Sequence, residues 1–430
     1  MNYQDRLLKA IPGGAHTYSR GYDQYPSNAP QILTHGKGAY IFDPEGNRYL
    51  DYGMALRAVN LGYAEDEIDA AAFVQIKNGN NLTRPSLIEL EAAESLVELI
   101  DSVDMVKFTK NGSTAVSAAV KLARAFTGRD MVARCVEQPF LSYDDWFIGS
   151  TPLTLGIPKD AIETTKMFRY NDIDSLRSLV AQHPAQFACV VMEPASTEGP
   201  KPGFLKDVEH LCRANGIVFV LDEMITGFRW HLKGAQFAYG VGPDICTFGK
   251  AMANGFAVAC VAGRREIMEL GSIEFPGRER LFLLSTTHGA EMAGLGAFMA
   301  TLGFMRRHKV VEHLDEYGRK LIGLMRGLAE AHGIGHSFKA DGIPCSPYYL
   351  TLDETGASSL PLRTLFAQEM IRNGVLMPWI ALSYRHGDEE LALTERALDK
   401  TFSVYRKALA EGVETCLEGP AIKPVFRKFN

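Results

Sequence analysis

From about residue 61 to 309 the chain alternates short, largely apolar runs with helical stretches, and few folds accept that pattern. The runs are Val106–Thr109, Met131–Val136, Phe187–Met192, Ile217–Leu221, Ile245–Phe248 and Ala257–Ala262, with a helix predicted over Ser113–Ala125. A strand that is apolar throughout needs cover on both faces, so the pattern predicts an α/β domain with a mostly parallel sheet. Ligands of such sheets gather beyond the carboxyl ends of the strands. Asn111, Gly112, Ser113, Glu193, Asp222 and Lys250 all fall at or just past those ends.

The flanks read differently. Ile11–Arg20 is too rich in turn formers for regular structure. Gly38–Asp43 alternates like a strand, Pro44–Asn47 turns, and Arg48–Asp51 returns, which predicts a small hairpin. After Gly303 come long amphipathic helices, a strand candidate at Pro347–Thr351 and a C-terminal helix from about Asp388 to Ala410. At 430 residues two lobes are expected: a large domain over 61–309, and a smaller α+β domain built from 1–60 and 310–430.

Composition removes several function classes. A net charge of −6 argues against a nucleic-acid or anionic-membrane surface. No apolar run is long enough to span a bilayer. Met1–Arg6 lacks the basic and apolar segments of a secretory leader. The seven cysteines are scattered, odd in number and without a CxxC pair, so a reducing cytoplasm is expected, with neither a disulfide framework nor a metal site.

Two segments carry the chemistry. Ile217–Leu221 delivers Asp222 and Glu223, and Thr247-Phe248-Gly249-Lys250 delivers a lysine into a turn of small residues. Taken singly, a strand-end acid caps a helix or binds a metal, and a lysine after glycine is a solvated surface residue. Taken together they match what pyridoxal phosphate requires: an amine for its aldehyde, and a carboxylate that keeps its ring nitrogen protonated. Glu193-Pro194 upstream and Ser285-Thr286-Thr287 downstream complete the set. On these motifs, and on Asp222–Arg229 with its Asp-Glu followed by Thr-Gly-Phe-Arg, the chain resembles the class III (fold type I) pyridoxal-phosphate-dependent aminotransferases. Within them it is most similar to the glutamate-1-semialdehyde aminomutase branch.

The resemblance implies a fold type I transferase, with a mostly parallel sheet of the seven-stranded type in the large domain. It implies that Lys250 forms the Schiff base and then moves protons, and that Asp222 pairs with the ring nitrogen, with Glu223 structural and Glu193 in the cofactor-binding set. Gly112 and Ser113 become phosphate ligands, in a loop the family writes Asn-Ser-Gly-Thr-Glu-Ala and this chain alters at Lys110, Asn111 and Thr114. Read without the family, Ser113 is a plain helix cap. Phe140 takes the place of the aromatic that stacks on the cofactor ring; the family writes Tyr-His-Gly there, so a hydroxyl is lost. Composition alone makes Phe140 a core residue. Thr286 corresponds to the threonine that reaches the neighbouring subunit's phosphate, which implies a homodimer with a shared active site; the alternative is local turn capping.

On the substrate side, Arg20 matches the arginine after Ile-Pro-Gly-Gly that grips a carboxylate, so an anionic substrate is expected. Leu56 replaces an expected tryptophan, and Arg57 beside it takes a second anionic group or is solvated. Met377–His386 replaces the aminomutase motif around Gln-Phe-Glu. The expected activity is therefore transamination between a small-molecule amino donor and an anionic carbonyl or keto-sugar-type acceptor. An intramolecular aminomutase is the alternative. A nicotinamide oxidoreductase would need a G-x-G-x-x-G turn, which does not occur, and a non-catalytic relative would have lost Lys250 or Asp222.

Overall fold

Apolar runs of four to six residues can bury both faces only when helices cover the sheet they form, and the large unit does this. The structure is a computed structural model, described here over residues 2–195 and 197–429. The chain divides into two compact units, 66–311 and 1–65 together with 312–430.

In the first unit, seven strands among the described residues form one sheet. Their order is Met105–Thr109, Ala259–Gly263, Ile245–Phe248, Val218–Asp222, Phe187–Met192, Met131–Cys135, Thr165–Phe168. The last five run parallel, and Ala259–Gly263 lies antiparallel to both of its neighbours. The expected mostly parallel α/β fold is present. Thr165–Phe168, a strand the sequence did not announce, reads Thr-Lys-Met-Phe, and its two middle residues are not buried. One face of the sheet buries Ala133, Phe168, Val190, Phe219 and Leu221 against Leu176, Phe204, Leu205 and Val208 from two covering helices.

Helix Gly112–Thr127 follows the first strand and ends at Gly128, whose φ of +68° places it in the left-handed region. Helix Met292–His308 begins well before Gly303. Its glycines are there for contact: a Cβ at Gly294 would come within 2.5 Å of Val258, and one at Gly296 within 2.7 Å of Gln75.

The second unit pairs His35–Lys37 with Tyr40–Phe42 and Tyr40–Phe42 with Arg48–Asp51, both antiparallel. Val375–Leu376 then joins Arg48–Asp51 in parallel. A separate hairpin pairs Phe338–Ile343 with Ser346–Thr351, and helix Asp388–Glu411 lies near the C-terminus. Met54, Ala55, Leu56 and Arg57 form a left-handed turn, with φ of 38, 48, 60 and 69° and no glycine among them. Each such residue costs roughly 1–2 kcal/mol. The turn is held by Asp51, which accepts from the Gly53 and Met54 N–H groups (2.6 and 3.0 Å), and by Tyr63, whose hydroxyl accepts from Ala55 N–H and donates to Asp51. Among the described residues no helix is long and apolar enough to cross a membrane.

Candidate active site

Asp222 ends its strand directly opposite Thr247 on the next one. That register lets Thr247 Oγ1 donate to Asp222 Oδ1 at 3.0 Å, and Met224 N–H donates to the same oxygen at 3.0 Å. Oδ2 accepts no hydrogen bond among the described residues. Burial pushes the Asp222 carboxyl above the usual carboxylate range, opposed by the charge of Lys250 and by the Met224 and Thr247 bonds. A buried carboxylate with one oxygen open suits a cationic N–H donor, as the ring nitrogen of pyridoxal phosphate provides.

Lys250 opens a short 3-10 turn, Lys250–Ala253, immediately past strand Ile245–Phe248. Its φ is +44°, a conformation that non-glycine residues take at a cost and that clusters at functional sites. Met224 wedges between this turn and the next part of the site. A Cβ on Gly249 would sit 2.7 Å from its sulfur, and one on Gly112 would sit 2.8 Å from the same atom. The residue after Asp-Glu thus sets the spacing of the lysine turn and the helix start, a role nothing in the sequence signalled.

The helix beginning at Gly112 is capped by Asn111, whose Oδ1 accepts from Thr114 N–H at 2.9 Å; the cap is Asn111 and not Ser113. Ser113 is buried and its Oγ accepts from Tyr143 N–H at 3.2 Å. The Ser113 hydroxyl proton has no acceptor among the described residues. That proton, with the amide N–H groups of the first helical turn, fits a phosphate.

Phe140 is 47% exposed, so it is not core; its ring meets Phe147 edge-on at 5.9 Å. The loop that carries it is tied down twice. Trp146 Nε1 donates to Ser117 Oγ at 2.9 Å, and Ser142 Oγ lies 3.0 Å from the same oxygen. From below, buried Arg134 donates to Ser150 Oγ (2.7 Å), Ser150 O (2.9 Å) and Cys135 O (2.9 Å), and packs under Phe147. Burial holds this guanidinium below its ordinary range. Glu193 is buried, with its backbone clasped by Gln138 through bonds of 2.8 and 2.9 Å. Glu223 accepts from Ala235 and Gln236 N–H (2.9 and 2.8 Å) and from the Thr226 hydroxyl, a structural task.

Thr286 sits in an exposed turn. Asn81 Nδ2 donates to Thr287 O at 3.0 Å, and a Cβ on Gly289 would reach 2.5 Å from Thr286 Oγ1, so a side chain there would displace the Thr286 hydroxyl. Lys110 pairs with Glu291 at 2.6 Å beyond the same turn. Arg20 and Arg57 belong to the other unit. There Arg20 is exposed, and its charge is felt by Tyr25 and Tyr63. Arg57 is half-buried and donates to Ser346 Oγ at 2.6 Å. Among the described residues no group of three or more His, Cys, Asp or Glu side chains is placed to hold a metal ion.

The family described as Aminotransferase class-III matches residues 21–346. A 3-aminobutyryl-CoA aminotransferase of Cloacimonas acidaminovorans is 32% identical over 95% of this chain and 98% of its own length. The FumI protein of Sphingopyxis sp. MTA144, solved with pyridoxal phosphate as the internal aldimine, superposes with a TM-score of 0.87 at 26% identity, covering 95% of this chain and 97% of that one. A glutamate-1-semialdehyde aminomutase of Pseudomonas aeruginosa PAO1 shares the fold at 20% identity, with a TM-score of 0.82 and 94% of each chain covered. With a sheet that brings an acid and a lysine to neighbouring strand ends, and with these relatives, the chain belongs to the class III aminotransferases, enzymes that use pyridoxal phosphate.

Proposed function

We propose that this enzyme is a transaminase that moves an amino group to or from a small anionic carbonyl or keto-sugar-type substrate, with Lys250 and Asp222 as its two chemical groups. The observation that carries the reading is their placement around Met224, at the ends of adjacent strands. Pyridoxal phosphate, when bound, supplies the electron sink. Asp222 Oδ2 would accept the ring N–H and hold that proton in place. Lys250 Nζ would take up and return the proton that moves at the substrate carbon. Gly112 and Ser113 would donate to the phosphate, Phe140 would cover one face of the ring, and Glu193 would support the floor through Gln138. Arg20 would grip the substrate anion, and Arg57, already bonded to Ser346, would add a second positive charge.

The test is a set of half-reactions. The loaded enzyme, mixed with single amino donors and then with single acceptors, is expected to change its visible absorption with anionic partners. Arg20→Ala should raise KM for them roughly 10- to 100-fold, the size of a lost charge-assisted contact. An unchanged KM for every anionic substrate would remove Arg20 from the site. Conversion of one compound with no second substrate, and no carbonyl released, would favour the aminomutase instead.

The same reading makes the enzyme a homodimer in which Thr286 serves the neighbouring subunit's cofactor. Support comes from the surface around it. Phe73 and Ile76 on helix Asp66–Lys77, Leu82, and Leu87 and Leu90 on helix Leu87–Leu99 are all exposed. They flank Asn81, which braces the Thr286 turn. Large apolar side chains left exposed so often along one segment are what a partner surface would cover. Sedimentation at assay concentration should give twice the chain mass, and a fully active monomer would sink the shared site.

A further inference from the structure

We propose that Tyr143 is a ligand of the cofactor phosphate, a role that no motif assigns to it. The inference rests on the reading of Gly112–Thr114 as the phosphate site, and it adds a donor from a different segment. Tyr143 follows the loop that carries Phe140, and its backbone N–H fixes Ser113 Oγ at 3.2 Å. Its ring is 57% exposed, with the hydroxyl 3.3 Å from Thr114 Oγ1 in the first turn of the helix.

Proton accounting singles out this hydroxyl. Thr114 gives its own proton to Asn111 Oδ1 at 3.0 Å, and Asn111 Oδ1 also receives Thr114 N–H. The Thr114 hydroxyl is therefore committed within the cap. Tyr143 can donate to Thr114 Oγ1 only over 3.3 Å, longer than a good O–H···O bond. A phosphate oxygen is a far stronger acceptor and would take that proton. A glutamate at position 114, as the related wording has it, would compete for the proton, whereas Thr114 does not. The hydroxyl missing at Phe140 is thus restored three residues later and redirected to the phosphate. Ser113, buried with an unclaimed hydroxyl proton, marks where the anion lies.

The test compares pyridoxal phosphate with pyridoxal, which lacks the phosphate, as ligands of the full-length protein freed of cofactor by dialysis. Affinities are read from the quenching of tryptophan fluorescence. Tyr143→Phe is expected to lower the preference for the phosphorylated ligand about tenfold or more, the worth of a hydrogen bond to a charged group, with pyridoxal affinity unchanged. Ser113→Ala should lower the same preference. If both ligands weaken alike in Tyr143→Phe, the tyrosine only holds the loop, and the proposal is overturned. If Ser113→Ala lowers the preference and Tyr143→Phe does not, the phosphate site stands and Tyr143 is no part of it. If neither does, the phosphate lies elsewhere, and the site reading falls together with the proposal.

Discussion

Replacing Lys250 with alanine is expected to lower amino transfer by a factor of at least roughly 10²–10⁴, the usual worth of a positioned acid–base group. The expectation follows from its position one residue past Gly249, just beyond the strand that pairs with the Asp222 strand, in a left-handed conformation that a non-glycine residue takes at a cost. Borohydride reduction of the loaded wild-type protein should fix a pyridoxyl group on Lys250, and peptide mapping should find none on the alanine variant. A label on another lysine would refute the assignment. The backbone strain adds a second readout: Lys250→Gly, which takes φ of +44° freely, should be inactive yet more stable than Lys250→Ala by roughly 1 kcal/mol in chemical unfolding.

Asp222→Asn should separate stability from function. In the cofactor-free protein, burial raises the Asp222 pKa above the usual carboxylate range, and the Lys250 charge only partly offsets this. The folded chain then binds the proton more tightly than the unfolded chain does. Stability from this group is present below about pH 4 and is lost as pH rises through the raised folded pKa. A neutral asparagine avoids that loss, so the cofactor-free variant should melt higher than wild type at pH 7, with the advantage vanishing below about pH 4. Activity should move the other way, falling roughly 10²–10³-fold, as when a preorganised charge partner is removed. A cofactor-free variant that melts lower at pH 7 would show that Asp222 is stabilising as an ion, and the argument from burial would fail.

Strand ends were legible in the chain because burial on both faces leaves an unbroken apolar run, and a polar residue after it marks the end. Asp222, Lys250 and Glu193 were all found in this way. Partners set by register were not legible. Nothing local says that Thr247 lies opposite Asp222, since the pairing depends on how two strands separated by a helix align. Helix Met292–His308 was hidden for a different reason. Glycine weakens a helix interior, yet Gly294 and Gly296 are places where a neighbouring side chain approaches too closely for a Cβ. The left-handed turn at Met54–Arg57 gave no sign either, because its conformation is imposed by Asp51 and Tyr63 rather than by its own residues. Strand Phe338–Ile343 escaped because its alternation, Phe-Lys-Ala-Asp, lasts only four residues before Gly342 breaks it.

A unit made from both ends of a chain also sets a schedule for its synthesis. Strand Arg48–Asp51 leaves the ribosome early, while the segment Val375–Leu376 that completes its sheet lies more than three hundred residues downstream. At roughly 5–20 residues per second, the hairpin waits on the order of 15–65 s with one edge unpaired. Residues 66–311 emerge whole in that interval and need nothing later in the chain to close their own sheet. The waiting edge invites pairing with other nascent chains. Slower translation past residue 311 would lengthen that exposure, so the yield of folded enzyme is tied to the pace at which the last quarter of the message is read.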